Sequence, residues 1–304
     1  MLRFADDADA RQQASGFQPT AAGTVRDLRE RTNLAQAIAF FGSRTEAQTF
    51  VDICLSRVLP ALCETVHYVD FGGGQGVVAN AMRDALLAAG RSPDVTVVDS
   101  NPRYLEDARA LGLKTHLVNI EDCALDGMDL ASMRLVNHYC AYDQQAAMLH
   151  SIHRALRRGG VFFSQIETGS EAICRLQTRI SNALSREDRA GYYWPTLDEY
   201  VALLDDAGFA EIAVIGESAP VEATINEGLA AAWRRFHGSK LESLAASGCV
   251  DEMQPLLAER AQFFKTAHGL VAEALDVPCG GAPSQAVPTK FELRYPIVYC
   301  RQSG

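Results

Sequence analysis

Between Val66 and Glu167, short apolar runs alternate with segments of helical periodicity, and no other feature of the chain narrows its fold so far. The runs are TVHYVDF (65–71), DVTVVD (94–99), KTHLVNI (114–120), SMRLVNHY (132–139) and GVFFSQIE (160–167). Between them lie GVVANAMRDALLAAG, NPRYLEDARALG and DQQAAMLHSIHRALRRGG. Strands separated by helices of about ten to fifteen residues are joined by right-handed crossovers, which yields a parallel sheet covered by helices on both faces. The expected class is therefore α/β, a doubly wound and mostly parallel sheet. Two later runs, AEIAVIGE (210–217) and KFELRYPIVYCR (290–301), bring the strands to seven. Pro296 inside the last of them cannot donate to a ladder and predicts a bulge.

The flanks read differently. Residues 1–60 carry apolar residues at helical spacing and form an expected helical N-terminal cap. Residues 61–304 then form one domain, with a helical lid inserted at about 221–285 before the last strand. With 304 residues the chain can bury a large core. Its formal net charge of −10 opposes a polyanion partner, so no nucleic acid is expected. The eight cysteines show no C-x-x-C pair and read as buried thiols of a reducing compartment. No basic, apolar leader opens the chain and no run approaches membrane-spanning length, which points to a cytoplasmic protein without a membrane partner.

Chemistry concentrates in Asp70-Phe71-Gly72-Gly73-Gly74-Gln75-Gly76, between the first strand and a helix. Glycine is entropically costly there, so the cluster implies positive φ angles or a close approach to the backbone. A dinucleotide fingerprint needs G-x-G-x-x-G, and Val77 stands at the sixth place from Gly72. No Gly-Lys-Ser/Thr ending marks a P-loop. A carboxylate at the strand end repels phosphate but can hold an ammonium, directly or through water. Asp99, closing the second strand, is placed for the two hydroxyls of a ribose. An amino acid at one end and a nucleoside at the other describe S-adenosylmethionine.

From about Val66 to Gly216 the chain resembles the class I S-adenosylmethionine-dependent methyltransferases. The resemblance implies that Asp70, Gly72, Gly74 and Gly76 line the methionine end, and that Asp99, flanked by Ser100 and Asn101, holds the ribose. Asn119 is expected on the adenine amine, where many members carry Asp, and Ile120 over the ring. Asn137 and His138 fall where the fourth strand meets the sulfonium. The helices added outside this core are similar in arrangement to those of histamine N-methyltransferase. They imply a small-molecule pocket closed by helices, with amines or guanidines as acceptors to test.

Methyl transfer is a direct displacement, so the protein chiefly aligns the acceptor and excludes water; a base is needed only where the acceptor must lose a proton. Candidate catalytic residues are Glu167, His138 and Tyr142. Tyr139, Tyr192, Tyr193, Trp194, Trp233 and His237 are candidates for the acceptor wall. Plainer alternatives stand beside these: Asp70 and Asp99 as helix caps, His138 as a core histidine, Glu167 as a solvated strand-end acid, the aromatic triplet as packing. The expected activity is N- or O-methylation of a small metabolite, in secondary metabolism, with no metal. The alternative is a protein that holds S-adenosylmethionine in a non-methylating or regulatory role. The N-terminal helices are placed to cover their own site or, in a homodimer, a neighbour's.

Overall fold

The computed structural model describes residues 44–184, 191–223, 250–274 and 291–303, together with Leu229, Trp233 and Leu244. The chain divides into a sheet unit, residues 44–168, 192–220 and 294–304, and a second unit, residues 1–43, 169–191 and 221–293, whose described residues lie mostly in helices and which is called the helical unit below. The sheet unit is built on β1 (Thr65–Phe71), β2 (Ser92–Asp99), β3 (Lys114–Leu117), β4 (Met128–Arg134), β5 (Leu156–Gln165), β6 (Phe209–Ala223) and β7 (Phe291–Gln302). Their order across the sheet is β3-β2-β1-β4-β5-β7-β6. Neighbours from β3 through β5 pair in parallel, and β5 pairs antiparallel with β7. The order reverses between β1 and β4, and ligands of open α/β sheets bind at the carboxyl ends of such a pair.

Helices α1 (Arg44–Val58), α2 (Val77–Ala88), α3 (Pro102–Ala110), α4 (Tyr142–Ala155) and α6 (Leu197–Asp206) belong to this unit. On one face Tyr68, Leu130, Phe163 and Tyr299 form a core with Phe50, Val51 and Cys54 of α1 and Met82 and Leu86 of α2. On the other, Phe71, Ala131, Met133, Phe162 and Val298 meet Met148 and Ile152 of α4 and Tyr200 and Leu203 of α6. Burial on both faces explains why the strands read as nearly continuous apolar runs. Helix α1, assigned from sequence to a cap ending near residue 60, is thus part of the sheet unit.

Three details differ from the sequence reading. Strand β4 stops at Arg134 rather than running to Tyr139. Leu135 is left-handed at φ 58°, and Asn137–Tyr139 form a 3-10 turn. Helix α4 stops at Ala155, and Leu156–Gly160 already belong to β5. A side chain at Gly160 would come within 2.8 Å of Met128 O, where the β4–β5 register shifts. The expected bulge at Pro296 is absent. The register runs unbroken from Val161↔Arg301 to Gln165↔Ile297 and resumes in phase at Thr168↔Arg294. Ile166 N still donates to Pro296 O (3.3 Å), so the proline forfeits only the return bond.

In the helical unit, α5 (Glu171–Leu184) and α7 (Val250–Ala274) share a core of Leu176, Ile180, Leu229, Trp233, Leu256, Ala267 and Val271. All six described cysteines are free; Cys63 is exposed, against expectation. Among the described residues no helix is long and apolar enough to cross a membrane, and no His/Cys/Asp/Glu group is placed to hold a metal ion.

Candidate cofactor and acceptor site

The glycine loop leaves β1 with Gly72, Gly74 and Gly76 at φ 64°, 55° and 81°. The three serve different ends. A Cβ on Gly72 would lie 2.6 Å from Val136 Cγ2, and one on Gly76 2.6 Å from Leu113 Cδ1; these two glycines let the β4 loop and the α3 region close in. Beside Gly74 the nearest atom would be Tyr104 Cδ2 at 3.9 Å. That open flank on a left-handed residue is where a ligand can approach the backbone. Gly72 and Gly73 donate to Val98 O (2.7 and 3.3 Å), and Gly74 N to Asp99 Oδ2 (2.9 Å), so β2 fixes the loop.

Asp70 is buried, at 1% exposure. Its Oδ1 accepts from Ser132 (2.5 Å), which in turn bonds Tyr68 Oη (2.6 Å). Its Oδ2 has no partner in good hydrogen-bonding geometry, and the Ala79 amide in the first turn of α2 lies near enough to favour the charged form slightly. Burial pushes the Asp70 carboxyl up to about 7, the charge of Asp99 adds to this, and the Ser132 bond and Arg134 oppose it. A desolvated carboxyl with one idle oxygen is suited to a cation delivered by a ligand.

Asp99 also accepts from Asn101 N (2.8 Å), so main-chain amides fix both of its oxygens at the end of β2. Asn101 caps α3 by accepting from Arg103 N (3.0 Å), which accounts for that residue without a ligand. Ser100 is exposed. Asn119, exposed and bonded to Asp122 at 3.3 Å, opens the 3-10 turn Ile120–Asp122, and Ile120 is buried in the second core.

Beyond β4 and β5 the structure brings together residues far apart in sequence. Glu167, 5% exposed, accepts from Trp194 Nε1 (3.1 Å). His138 stacks on Trp194 (centroids 4.9 Å, planes 23° apart), Trp194 on Tyr192 (6.2 Å), and Tyr139 bridges Tyr192 (6.3 Å) and His138 (4.3 Å). Next to His138, Asn137 is 1% exposed, and neither atom of its side-chain amide has a partner. The segment Tyr192–Pro195 lacks regular structure but is pinned. Gln145 Nε2 donates to Tyr193 O (2.7 Å) and Cys140 O (3.0 Å), Thr168 Oγ1 to Pro195 O (3.0 Å), and Tyr193 Oη to Glu199 (2.9 Å). Glu199 also closes a capping box with Thr196 at the start of α6. The aromatics are therefore a fixed wall. Tyr142 stands at its rim, 44% exposed and edge-on to Tyr193 at 5.1 Å. Trp233 packs in the core of the helical unit against Phe263 (5.4 Å). His237 lies outside the described residues. Sequence reasoning missed Ser132, Arg134, Gln145, Gln165 and Thr168; for Ser132, Arg134 and Gln165 the polar letters of LASMR and FFSQ inside buried strands were the only signal, and Gln145 and Thr168 had none.

A seven-stranded sheet with an antiparallel seventh strand, an acid before a glycine loop and a second acid closing β2 define a nucleoside-binding α/β protein of the methyltransferase type. The methyltransferase domain family matches residues 28–214, more than half of the chain, and the chain belongs to that family, the class I S-adenosylmethionine-dependent methyltransferases. The YcgJ protein of Bacillus subtilis superposes with a TM-score of 0.57 at 13% identity, over 84% of this chain and 99% of its own. A candidate sarcosine dimethylglycine methyltransferase from Galdieria sulphuraria superposes with 0.52 at 12% identity, over 99% and 98%. A candidate methyltransferase from Bacillus halodurans gives 0.53 at 14%, over 83% and 99%. At such identities the likeness establishes the fold alone. No curated protein matches the chain in sequence. The family uses S-adenosylmethionine. The residues present fit it: the open flank of Gly74, the idle Asp70 Oδ2 and the unpartnered Asn137 amide supply polar contacts that the fold leaves unused.

Proposed function

We propose that this chain methylates a nitrogen, of an amine or a guanidine, on a small-molecule metabolite. The observation that carries this reading is the buried Glu167 carboxylate, bonded to Trp194 and set among the rings of His138, Tyr139, Tyr192 and Trp194. The carboxylate is buried, at 5% exposure, and the Trp194 N–H fixes its Oε1 at the edge of the aromatic wall. An acid beside aromatic faces suits a cationic group, through charge-assisted hydrogen bonds and cation–π attraction.

S-adenosylmethionine, when bound, supplies an electrophilic methyl group. Asp70, Asp99 and Gly74 are the residues for its amino acid and ribose ends, and Asn137, in the turn after β4, is a buried neutral amide next to His138 of the acceptor wall. Glu167 holds the acceptor nitrogen and takes its proton, and the pinned wall keeps water out. An oxygen acceptor would need a base for its hydroxyl, and Tyr142 at the rim and His138 in the wall are the other candidate bases.

The test is formation of S-adenosylhomocysteine over panels of amines, guanidines and phenols. Turnover with a cationic nitrogen compound, reduced at least tenfold by Glu167→Gln, supports the reading. Turnover confined to phenols overturns the choice of nitrogen, and cofactor binding without turnover on any panel favours the non-methylating alternative.

A further inference from the structure

The sheet face covered by α1 and α2 carries a cation, Arg134, at the carboxyl end of β4, where Glu46 of α1 and Asp70 of β1 are the acids that act on it most strongly. Residues paired across strands share a face, as do residues two apart. Asp70 pairs with Ser132, and Arg134 with Gln165, so Asp70, Ser132, Arg134 and Gln165 lie together at the carboxyl ends of β1, β4 and β5. Arg134 is half-buried, and its Nε donates to Gln165 Oε1 (2.7 Å). The Gln165 amide cannot turn over, because its Nε2 donates to Tyr295 O (3.2 Å) and Ser218 Oγ (2.8 Å). Ser218 in turn donates to Glu46 Oε2 (3.3 Å) in the first turn of α1. The guanidinium plane is thus set by a chain of side chains reaching from β4 to α1.

Asp70 and Arg134 attract one another without pairing, since the only side-chain hydrogen bond of Asp70 is to Ser132. They stand on adjacent strands about 4.8 Å apart, with Arg134 two residues, or about 6.6 Å, further along. A carboxylate and a guanidinium so placed, close but separate, are complementary to the ammonium and carboxylate of one α-amino acid group. The charges facing this pair are Asp99 from β2 and Glu46 from α1.

We propose that Arg134 binds the carboxylate at the methionine end of S-adenosylmethionine, with Gln165 as the residue that positions its guanidinium. The assignment rests on the family's cofactor and adds a charge partner that the glycine loop does not supply.

The test is calorimetric titration of the full chain with S-adenosylmethionine and with its decarboxylated form, which keeps the amine and lacks the carboxylate. Wild type should prefer the carboxylated ligand by roughly ten- to hundredfold, the range expected for a charge-assisted bidentate contact. Arg134→Met should bind the two alike, Arg134→Lys should keep part of the preference, and Gln165→Leu should fall between. The ratio is taken on one preparation, so partial unfolding of a variant cancels. A wild-type preference retained by Arg134→Met overturns the proposal, as does a wild type that binds both ligands equally. Binding of neither ligand by wild type refutes the cofactor assignment itself, and the proposal with it.

Discussion

Asp99 Oδ2 accepts the main-chain N–H of Gly74 at 2.9 Å, so the acid placed for the ribose is also the strut of the glycine loop. Asp99→Ala should therefore lose more than two ribose hydrogen bonds, weakening S-adenosylmethionine binding by about a hundredfold or more. Asp99→Asn, which keeps an acceptor, should lose less. An analogue without ribose hydroxyls separates the two roles. If Asp99 serves the loop as well, Asp99→Ala should weaken this analogue too; an unchanged affinity would confine the residue to the ribose.

Gly72 and Gly74 should respond differently to alanine. Both are left-handed, which costs an L-residue roughly 1–2 kcal/mol. At Gly72 the added Cβ also meets Val136 Cγ2 at 2.6 Å, whereas at Gly74 it meets only Tyr104 Cδ2, at an ordinary contact distance of 3.9 Å. Gly72→Ala should lower the melting temperature markedly, with partial recovery in a Gly72→Ala, Val136→Ala double variant. Gly74→Ala should cost little more than the backbone strain yet abolish measurable cofactor binding. Equal melting losses, or a Gly74→Ala chain that binds normally, would contradict the division of roles.

Asp70 gives the site a pH dependence with a definite sign. Its folded value of about 7 lies above its ordinary 3.8, so the native chain holds the proton more tightly than the unfolded chain. The stability it contributes is fully present below about pH 4 and is lost as pH rises through about 7. Asp70→Asn should therefore gain in melting temperature over wild type between pH 5 and 8. Cofactor binding should run the other way, because the ligand's ammonium needs the ionised acid. Wild-type affinity should fall by up to about tenfold per pH unit below 7, and the weaker binding of Asp70→Asn should stay level. Affinity and melting-temperature differences flat across this range would remove Asp70 from the account.

The Glu167–Trp194 contact predicts a split between parameters. Trp194→Phe keeps the ring stack but removes the N–H held by Glu167. It should lower kcat with a cationic acceptor several-fold and leave cofactor affinity unchanged. A matching loss of cofactor affinity would mean that the wall only supports the fold.

The sheet was legible because both of its faces are buried, and the loop because its glycines and acids are contiguous or end a strand. TVHYVDF matches β1 residue for residue. The β4 terminus was not legible. Nothing in MRLVNHY marks Leu135 as the left-handed residue that ends the strand. The acceptor wall could be named but not assembled, since Glu167 meets Trp194, and His138 stacks on it, only through tertiary packing. Arg134 drew no notice because a lone arginine at a strand end usually reaches solvent; its half-burial and its Gln165 partner appear only across the β4–β5 register.

The most direct test of the central claim is titration of the purified chain with S-adenosylmethionine and, in parallel, with NADH. Saturable binding of S-adenosylmethionine in the micromolar range, with no response to NADH, is the predicted result. Binding of NADH alone, or of neither, would contradict the assignment of the Asp70–Gly76 loop and Asp99 to this cofactor.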